Sequence, residues 1–430
     1  MTPPDDSDPR TLRRVVLASF IGTAIEWYDF FLYNTAAALV FDKLFFPKLE
    51  PANATLAAFA TYSVGFFARP LGGIVFGHFG DRVGRKSMLV ITLMMMGVST
   101  FLVGLVPTYA TIGAAAPLLL VVLRFVQGFG VGGEWGGAVL MAAEHSPKKK
   151  RGLSASWAQA GVPAGLIIAN GVFAATSRLT GDHFIEWGWR IPFLLGIALV
   201  GIGMFIRLKV LETPAFSRVR ESTGVARIPL FEVLRTHPKN VVLAMGARFA
   251  ENVSFYLFTA WILTYSTVQL GLPKSAALNG LLAASAAEFV TIPLYGALSD
   301  RFGRRPVYML GAALTGLFAF PFFWMVDLRS VPMLWTALIL ALAVAHAAMY
   351  GPQAAFFSEL FGANVRYSGA SLGYQLSSAL AGGLAPLMAG GLLRLSDGQS
   401  WSVALYLAAS SLLTLVCVYM AAETSRSDLR

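Results

Sequence analysis

Long apolar runs dominate the chain, and each is close to the length that a helix needs to cross a lipid bilayer. About 20 apolar residues in a helix span the hydrocarbon core of a membrane. Twelve such runs lie near residues 15–41, 54–79, 87–106, 114–143, 153–177, 190–208, 240–268, 276–298, 307–326, 331–360, 367–393 and 401–421. Short polar segments separate the runs. The pattern therefore predicts an all-α polytopic membrane protein with twelve transmembrane helices.

Two polar motifs occur twice in the same order, which indicates an internal duplication. The loop GHFGDRVGRKS at residues 77–87 returns as GALSDRFGRRP at residues 296–306. A second pair of motifs is Glu144…Arg151 and Glu359…Arg366. Repeats of this kind, related by an axis along the membrane normal, occur in secondary transporters. We therefore predict two pseudo-symmetric six-helix bundles.

A polar stretch divides these bundles. It covers residues 209–239 and contains three prolines and one glycine, a composition that favours a linker. The predicted units are an amino-terminal bundle over residues 1–208, a cytoplasmic linker over 209–239 and a carboxy-terminal bundle over 240–430.

Composition and charge agree with a membrane protein. Hydrophobic residues make up 56% and charged residues 13% of the chain, whereas soluble domains have about 25% charged residues. The net charge is +10, and basic residues gather in alternate loops, which the positive-inside rule assigns to the cytoplasm. We therefore expect both termini in the cytoplasm, and the basic charge requires no nucleic-acid partner. The single cysteine, Cys417, excludes a disulfide within the chain.

The first apolar run contains two carboxylates. Glu26 and Asp29 lie in IGTAIEWYDFFLY without a basic residue in the run, and Tyr33 continues the same helix face. A charge at bilayer depth costs on the order of 3 kcal/mol, so such residues are usually functional. Buried carboxylates can take up and release protons near neutral pH. We predict that the pair couples transport to protons, with Asp29 as the carrier, hydrogen-bonded by Tyr33, and Glu26 orienting the substrate or Arg124; the reverse assignment stays open. Alternatively, both are packing groups that Tyr33 or neighbouring helices satisfy.

Other polar residues inside the runs are candidates for the same chemistry. The complete set of proton-coupling candidates is Asp29, Glu26, Glu134, Glu251 and His346. Glu288 is a further acid in the second half. A single histidine in a span is more often a satisfied core residue than a proton relay, so both interpretations of His346 stay open.

Buried arginines are the candidate ligands for a substrate carboxylate, because the guanidinium group can donate two parallel hydrogen bonds to it. The cations inside the runs are Arg124, Arg248 and, in the second run, Arg69. Arg124 and Arg248 could instead neutralise buried acids, Glu251 in the case of Arg248. The substrate-binding candidates are Arg124, Gln127, Tyr33, Gln159, Arg248, Asn252, Tyr256 and Gln375. The glycines between residues 128 and 137 allow another helix to approach closely.

The repeated loop G-x-x-x-D-R-x-G-R-[KR] resembles the signature of the major facilitator superfamily. The stretches EWYDFFLY, FFARPLGGIVFGHFGDRVGRK, RFVQGFGVGGEWGGA and WGWRIPFLLG are similar to its metabolite:proton symporter branch. YSTVQLGLP, SDRFGRRPVY and FGANVRYSGASLGYQ are similar to shikimate transporters within that branch. The resemblance covers nearly the whole chain, and it implies a substrate cavity between two rocking halves.

The same resemblance implies a gate at the cytoplasmic ends of the helices. The implied gating residues are Asp81, Arg82, Gly84, Arg85, Lys86, Glu144, Arg151, Asp300, Arg301, Arg304, Glu359 and Arg366. The acid of the repeated loop is well placed to meet a helix N-terminus. We expect this set to join the two halves when the cavity faces outward.

The resulting expectation is a proton-coupled importer of a small organic acid in the bacterial inner membrane. A shikimate-like monocarboxylate is the favoured substrate; the alternatives are a zwitterion such as proline or betaine and a di- or tricarboxylate such as 2-oxoglutarate or citrate. We expect a functional monomer without cofactor or metal. Sequence patterns of hydrolases, zinc enzymes and P-loop proteins are absent, which argues against an enzyme. The duplication argues against a channel, which would not exchange labelled for unlabelled substrate.

Overall fold

The chain is built almost entirely of helices. The computed structural model describes residues 9–208, 229–362 and 365–426, and no strand occurs in these ranges. The long helices are α1 Pro9–Ala36, α2 Pro51–Val83, α3 Arg85–Leu105, α4 Ala115–Glu144, α5 Arg151–Thr180, α6 Arg190–Leu208, α7 Pro238–Gln269, α8 Lys274–Phe302, α9 Arg304–Asp327, α10 Val331–Glu359, α11 Arg366–Leu395 and α12 Trp401–Met420. Each coincides with one predicted run, with ends that differ by a few residues.

The helices also have the apolar character of membrane spans. By length and composition, ten helices in the described ranges are suited to cross a membrane. The other two predicted spans are α2, which carries Arg69, and α6, whose apolar stretch Arg190–Ile206 is shorter. Large apolar side chains such as Trp324 and Leu412 are exposed on the outside of the bundle, as a lipid-facing surface requires.

Three helices of the second half contain π-helical turns. They are Leu257–Trp261 and Tyr265–Gln269 in α7, Leu340–His346 in α10 and Ser378–Gly382 in α11. Such turns carry an extra residue and are frequent at functional sites. In addition, Arg248 lies at a break in α7, between Pro238–Ala247 and Phe249–Tyr256. The second half therefore departs from regular helix geometry where its polar side chains gather.

The repeated loop has similar backbone geometry in both halves. Gly84 joins α2 to α3 with φ of 124°, and Gly303 joins α8 to α9 with φ of 102°. Residues with a Cβ atom disfavour such values, so both turns require glycine. We call the end of the bundle that carries these turns the repeat end; the charge pattern predicts it to be cytoplasmic.

Glycines allow close approach of helices within and between the halves. A Cβ atom at Gly128 of α4 would overlap the backbone of Gly65 in α2, as predicted for this glycine-rich stretch. At the repeat end, a Cβ atom at Gly152 of α5 would overlap the Gly296 carbonyl of α8. The first contact packs the amino-terminal half, and the second joins the two halves.

Most of the predicted linker lies outside the described residues, namely positions 209–228. Its last part forms a short helix, Pro229–Thr236, in which Val233 is buried. The hydropathy pattern did not predict this helix. The division of the chain into two bundles and a linker at these boundaries stays a prediction.

Candidate functional site

Asp29 is buried in the middle of the amino-terminal half, and its side chain is 2% exposed. Neither carboxylate oxygen has a hydrogen-bond partner among the described residues. The Thr100 hydroxyl of α3 faces the carboxylate outside hydrogen-bond geometry, and Arg124 of α4 is the nearby positive charge. On the α6 side, the backbone of Gly196 leaves room for the carboxylate. The carboxylate therefore lies inside this half, surrounded by α3, α4 and α6.

A chain of donors leads from Arg124 towards this carboxylate. The Arg124 Nη1 donates to the Gln127 Oε1 at 2.8 Å, and the Gln127 amide donates to the Thr100 hydroxyl. The Thr100 oxygen accepts this bond, so the hydrogen of the Thr100 hydroxyl is free to point towards another acceptor. The acceptor that Thr100 faces is the Asp29 carboxylate. The predicted pair of Arg124 and Gln127 thus belongs to the surroundings of Asp29.

Glu26 faces a different part of the molecule. Its charge acts on Tyr374 of α11 in the other half, and its side chain is 4% exposed. Residues three apart on a helix are separated by about 60° around the axis. Glu26 and Asp29 therefore lie at the two edges of the predicted helix face. Glu26 faces the carboxy-terminal half, and Asp29 faces the interior of the amino-terminal half.

Two other candidates lie within the amino-terminal half. The Glu134 Oε2 accepts a hydrogen bond of 2.9 Å from Thr92 of α3. The Tyr33 hydroxyl lies 2.8 Å from the Thr61 hydroxyl of α2 rather than at Asp29, although its ring packs 4.5 Å from the Arg124 guanidinium. The expected hydrogen bond between Tyr33 and Asp29 is therefore wrong, because the long tyrosine side chain reaches past the carboxylate to α2.

Glutamines and aromatic rings connect the halves at the centre. Trp135 stacks on Tyr374 with 3.6 Å between ring centroids, and its Nε1 donates to the Gln159 Oε1 at 2.8 Å. Gln159 also reaches the Tyr350 carbonyl of α10, at 3.4 Å. Gln375 donates to the Gly132 carbonyl of α4 at 3.1 Å. Both predicted glutamines thus reach across to the opposite half.

Farther from the repeat end, aromatic rings close the interface. Trp27 packs on Phe255 with 5.5 Å between centroids, and Phe66 packs on Tyr256 at 5.2 Å. These rings belong to α1 and α2 on one side and to α7 on the other. The halves are therefore in contact on both sides of the central glutamines.

The second half contains a chain of buried charges. The Arg248 Nε donates to the Glu251 Oε2 at 2.9 Å, and its Nη1 donates to the Ser378 hydroxyl at 2.6 Å. The Glu251 Oε1 lies 3.2 Å from the His346 Nε2, and the Glu288 Oε1 lies 2.6 Å from the His346 Nδ1. Arg248 and Glu251 are thus partners, the alternative that the sequence left open.

The contacts around His346 determine how many protons these buried side chains hold. We call Glu251, His346 and Glu288 the triad. A neutral imidazole carries a single N–H, yet each ring nitrogen of His346 lies at hydrogen-bond distance from a carboxylate oxygen. Two protons are therefore needed, one for each N···O contact, and each is carried either by the ring or by a carboxyl group. Loss of one proton would leave two acceptors facing each other.

Asn252 and Gln375, two of the predicted binding residues, have unsatisfied polar atoms although both are buried. The Asn252 Nδ2 and the Gln375 Oε1 have no hydrogen-bond partner among the described residues. Buried polar atoms of this kind are rare in folded proteins and require an explanation. One donor and one acceptor are therefore available near the interface between the halves.

Two reciprocal ion pairs join the halves at the repeat end. Arg151 donates to Glu359 at 2.9 Å, and Arg366 donates to Glu144 at 2.8 Å, with all four side chains buried. Arg304 adds two bonds of 3.1 Å to Glu359. The two copies of the Glu…Arg motif thus bind each other crosswise.

Asp300 caps a helix of the opposite half. Its carboxylate accepts the Gly152 N–H at 2.7 Å and the Leu153 N–H at 2.9 Å, in the first turn of α5. Arg304 donates to the same carboxylate at 2.8 Å. A carboxylate at a helix N-terminus is favourable for both the orphan N–H groups and the helix dipole.

The remaining gate candidates are placed differently. The side chains of Asp81 and Arg85 lie outside the described residues. The contacts of Arg82 and Arg301 are with residues of their own helices, and Lys86 donates to a backbone carbonyl at the end of α6. These contacts do not join the halves, because the side chains leave the loop in other directions than Asp300 and Arg304.

The carboxy-terminal segment contributes to the contacts at the repeat end, which the sequence did not indicate. Thr424 donates to Glu359 at 2.7 Å, and the Glu423 carboxylate accepts the N–H groups of Arg304 and Arg305 at 2.9 and 3.0 Å. Burial raises the pKa of Glu423, but the hydrogen bonds from these N–H groups and from Ser425 outweigh it and hold this pKa below its ordinary value. The sequence also did not indicate Thr100 as the neighbour of Asp29, or Glu288 as the partner of His346. Only the contacts of the folded chain reveal these pairs.

Comparisons with known proteins agree with this arrangement. The sequence model of the Major Facilitator Superfamily matches residues 19–386 and 280–429. The chain is 44% identical to the shikimate transporter of Escherichia coli K12, over 96% of this chain and 95% of that protein. It is 34% identical to the proline/betaine transporter of Salmonella typhimurium, over 98% and 86%.

A solved structure shares the fold. The proton:xylose symporter XylE bound to 6-bromo-6-deoxy-D-glucose superposes with a TM-score of 0.80, over 97% of this chain and 98% of that chain, at 18% identity. The predicted fold class of twelve helices is thereby confirmed. The chain therefore belongs to the major facilitator superfamily and is a membrane transporter of small molecules, not an enzyme.

Proposed function

We propose that the protein is a proton symporter that imports a small organic acid across the bacterial inner membrane by alternating access. A shikimate-like monocarboxylate is the proposed substrate. The protein works as a monomer with both termini in the cytoplasm, so the repeat end is the cytoplasmic end.

The observation that carries the proposal is the Asp29 carboxylate. It is buried without a hydrogen-bond partner among the described residues, and an ionised carboxylate in such a place is costly unless a proton or a cation compensates it. Arg124, through Gln127 and Thr100, provides a path by which a change at the arginine reaches the carboxylate. Proton uptake at Asp29 is therefore the step that couples to movement of the halves.

The gate contacts support alternating access. Release of a substrate into the cytoplasm requires the Arg151–Glu359 and Arg366–Glu144 pairs to separate, together with the Asp300 cap. Opening the repeat end would separate charged groups and helix N–H groups from their partners, so these contacts favour the closed state. A transporter alternates only if neither state is much more stable than the other.

The substrate class rests on the relatives. The shikimate transporter is 44% identical to this chain and the proline/betaine transporter 34%, which favours an organic acid over a zwitterion. A zwitterion such as proline or betaine, and a di- or tricarboxylate, stay as alternatives. A thermal-shift screen of the purified protein separates them, because a ligand at about a hundredfold excess over its Kd stabilises the folded state by about 2.7 kcal/mol.

Transport by Asp29→Asn and Glu26→Gln variants in proteoliposomes tests the proton site. We expect Asp29→Asn to abolish accumulation driven by a proton gradient but to retain counterflow, since exchange needs no net proton movement. Glu26→Gln should impair both if Glu26 orients the substrate. The exposed Asp182, changed to Asn, is the matched control and should behave as wild type. Accumulation by Asp29→Asn at the wild-type level would refute the assignment and make Glu134, Glu251 or His346 the candidate proton carrier.

A further inference from the structure

Arg69 is a buried cation that the mechanism above does not use. It lies in α2, and its side chain is 3% exposed. Its guanidinium carbon lies 4.7 Å from the ring centroids of both Phe30 and Phe66, and 5.9 Å from that of Trp27. On the other side, the Tyr256 hydroxyl of α7 faces it. The guanidinium thus lies between aromatic rings at the interface of the two halves.

The other fully buried arginines each have an acidic or amide partner. Arg248 binds Glu251, Arg304 binds Glu359, and Arg124 donates to Gln127. Within the described residues, Arg69 forms no ion pair, and the polar group beside it is the neutral Tyr256 hydroxyl. It is therefore a buried positive charge that lacks an anionic partner among the described residues.

Such a charge requires compensation. Aromatic faces attract a guanidinium, but they do not accept its in-plane N–H groups. Removing a cation from water without an anion is unfavourable, and a carboxylate matches the guanidinium fork in charge and shape. The missing partner is hence an anion that enters from outside the chain.

We propose that Arg69 binds the carboxylate of the transported substrate. The rings of Trp27, Phe30 and Phe66 pack against its carbon skeleton, and Tyr256 contacts it from the other half. This assignment rests on the proposed function and names the residue that recognises the acid group. It also leaves Arg124 to the surroundings of Asp29, and Arg248 to Glu251.

The site suits a small carboxylate for a geometric reason. Phe66 packs on Tyr256 and Trp27 packs on Phe255, so the rings beside Arg69 are also those that join the halves. A ligand bound there contacts α1, α2 and α7 at once. Occupation of the site therefore changes the contacts that hold this part of the interface closed.

Binding of shikimate and of its uncharged methyl ester, measured by calorimetry on purified protein, tests the inference. We expect wild type to prefer the acid, Arg69→Gln to lose about a hundredfold in affinity for the acid with little change for the ester, and Arg69→Lys to lose about tenfold. Arg69→Lys keeps the buried positive charge, so a loss of affinity in this variant can be separated from a loss of folding. The control is Arg190→Gln: Arg190 lies 4.4 Å from the Trp189 ring, but it donates to the carbonyls of Gly104 and Val106 within the amino-terminal half.

The outcomes separate this inference from the proposed function. A loss of the preference for the acid in Arg69→Gln, with wild-type behaviour of Arg190→Gln, supports the inference. If wild type prefers the acid and Arg69→Gln prefers it equally, the inference is overturned while the proposed function stands. If wild type binds neither shikimate nor any other small carboxylate of a panel, the proposed function fails and the inference with it.

Discussion

Gly152 is the position where the contact between the halves depends most directly on a missing side chain. It lies in the first turn of α5, and a Cβ atom there would overlap the Gly296 carbonyl and the Arg304 guanidinium and would lie 2.7 Å from the Ser299 hydroxyl. A backbone carbonyl cannot move away unless the helix moves. Gly152→Ala should therefore push α5 and α8 apart at the repeat end.

The size of the effect follows from the overlap. Extra methyl groups in a packed interior cost about 1–3 kcal/mol. This penalty applies only while the repeat end is closed, so it shifts the equilibrium between closed and open states by about 5- to 150-fold. The Asp300 cap, whose bonds to the first turn of α5 measure 2.7 and 2.9 Å, would be lost in the same movement.

Alkylation of a reporter cysteine measures this shift. Ser371 of α11 is fully buried, its hydroxyl has no hydrogen-bond partner among the described residues, and it faces Gly136 of the other half. In a Cys417→Ala background, Ser371→Cys should react slowly with a maleimide as long as the repeat end is closed. Gly152→Ala should raise the rate by about the factor of the population shift.

Gly171→Ala is the matched control. It lies in the same helix, but a Cβ atom there would meet nothing within 4 Å. Both substitutions raise helix propensity by about 1 kcal/mol, so their difference isolates the contact. Equal alkylation rates in the two variants, with both folded, would show that the Gly152 contact does not hold the repeat end closed.

Two further predictions concern charged side chains. His346→Leu leaves the two carboxylates of the triad without their common partner and should lower the free energy of unfolding by about 3–5 kcal/mol; the double variant with Glu288→Leu should lose less than the sum of the single changes, measured by thermal unfolding in detergent. Additive losses would contradict an interaction between His346 and Glu288. Glu423→Gln should lower the melting temperature at neutral pH. Because the pKa of Glu423 is held below its ordinary value of 4.5, its stabilising contribution is complete above pH 4.5 and disappears as the pH falls through the lowered pKa. A difference in melting temperature that persists in strong acid would refute the capping role.

Much of the fold could be read from hydropathy and from the repeat. The bilayer accepts only segments whose backbone is satisfied internally, so apolar runs of sufficient length become helices with little dependence on their neighbours. Gly84 and Gly303 could be assigned to equivalent turns because the two motifs have the same spacing. The crosswise ion pairs also agree with the resemblance, since the Glu…Arg motif occurs at the same place in each half. Asn252 and Gln375 were identified as polar positions, but not as positions with unsatisfied atoms.

By itself, the sequence determined which polar residues are buried. They lie within apolar runs that form membrane spans, and they are Glu26, Asp29, Arg69, Glu288 and His346. The tertiary structure alone decided which of these groups meet. Helix rotation places Asp29 at Thr100 and Glu26 towards Tyr374, although the two acids are one turn apart. The π-helical turn that ends at His346 brings its ring between two carboxylates on other helices. Partner choice depends on rotations of a few tens of degrees and on packing between distant segments, and neither is encoded in local hydropathy.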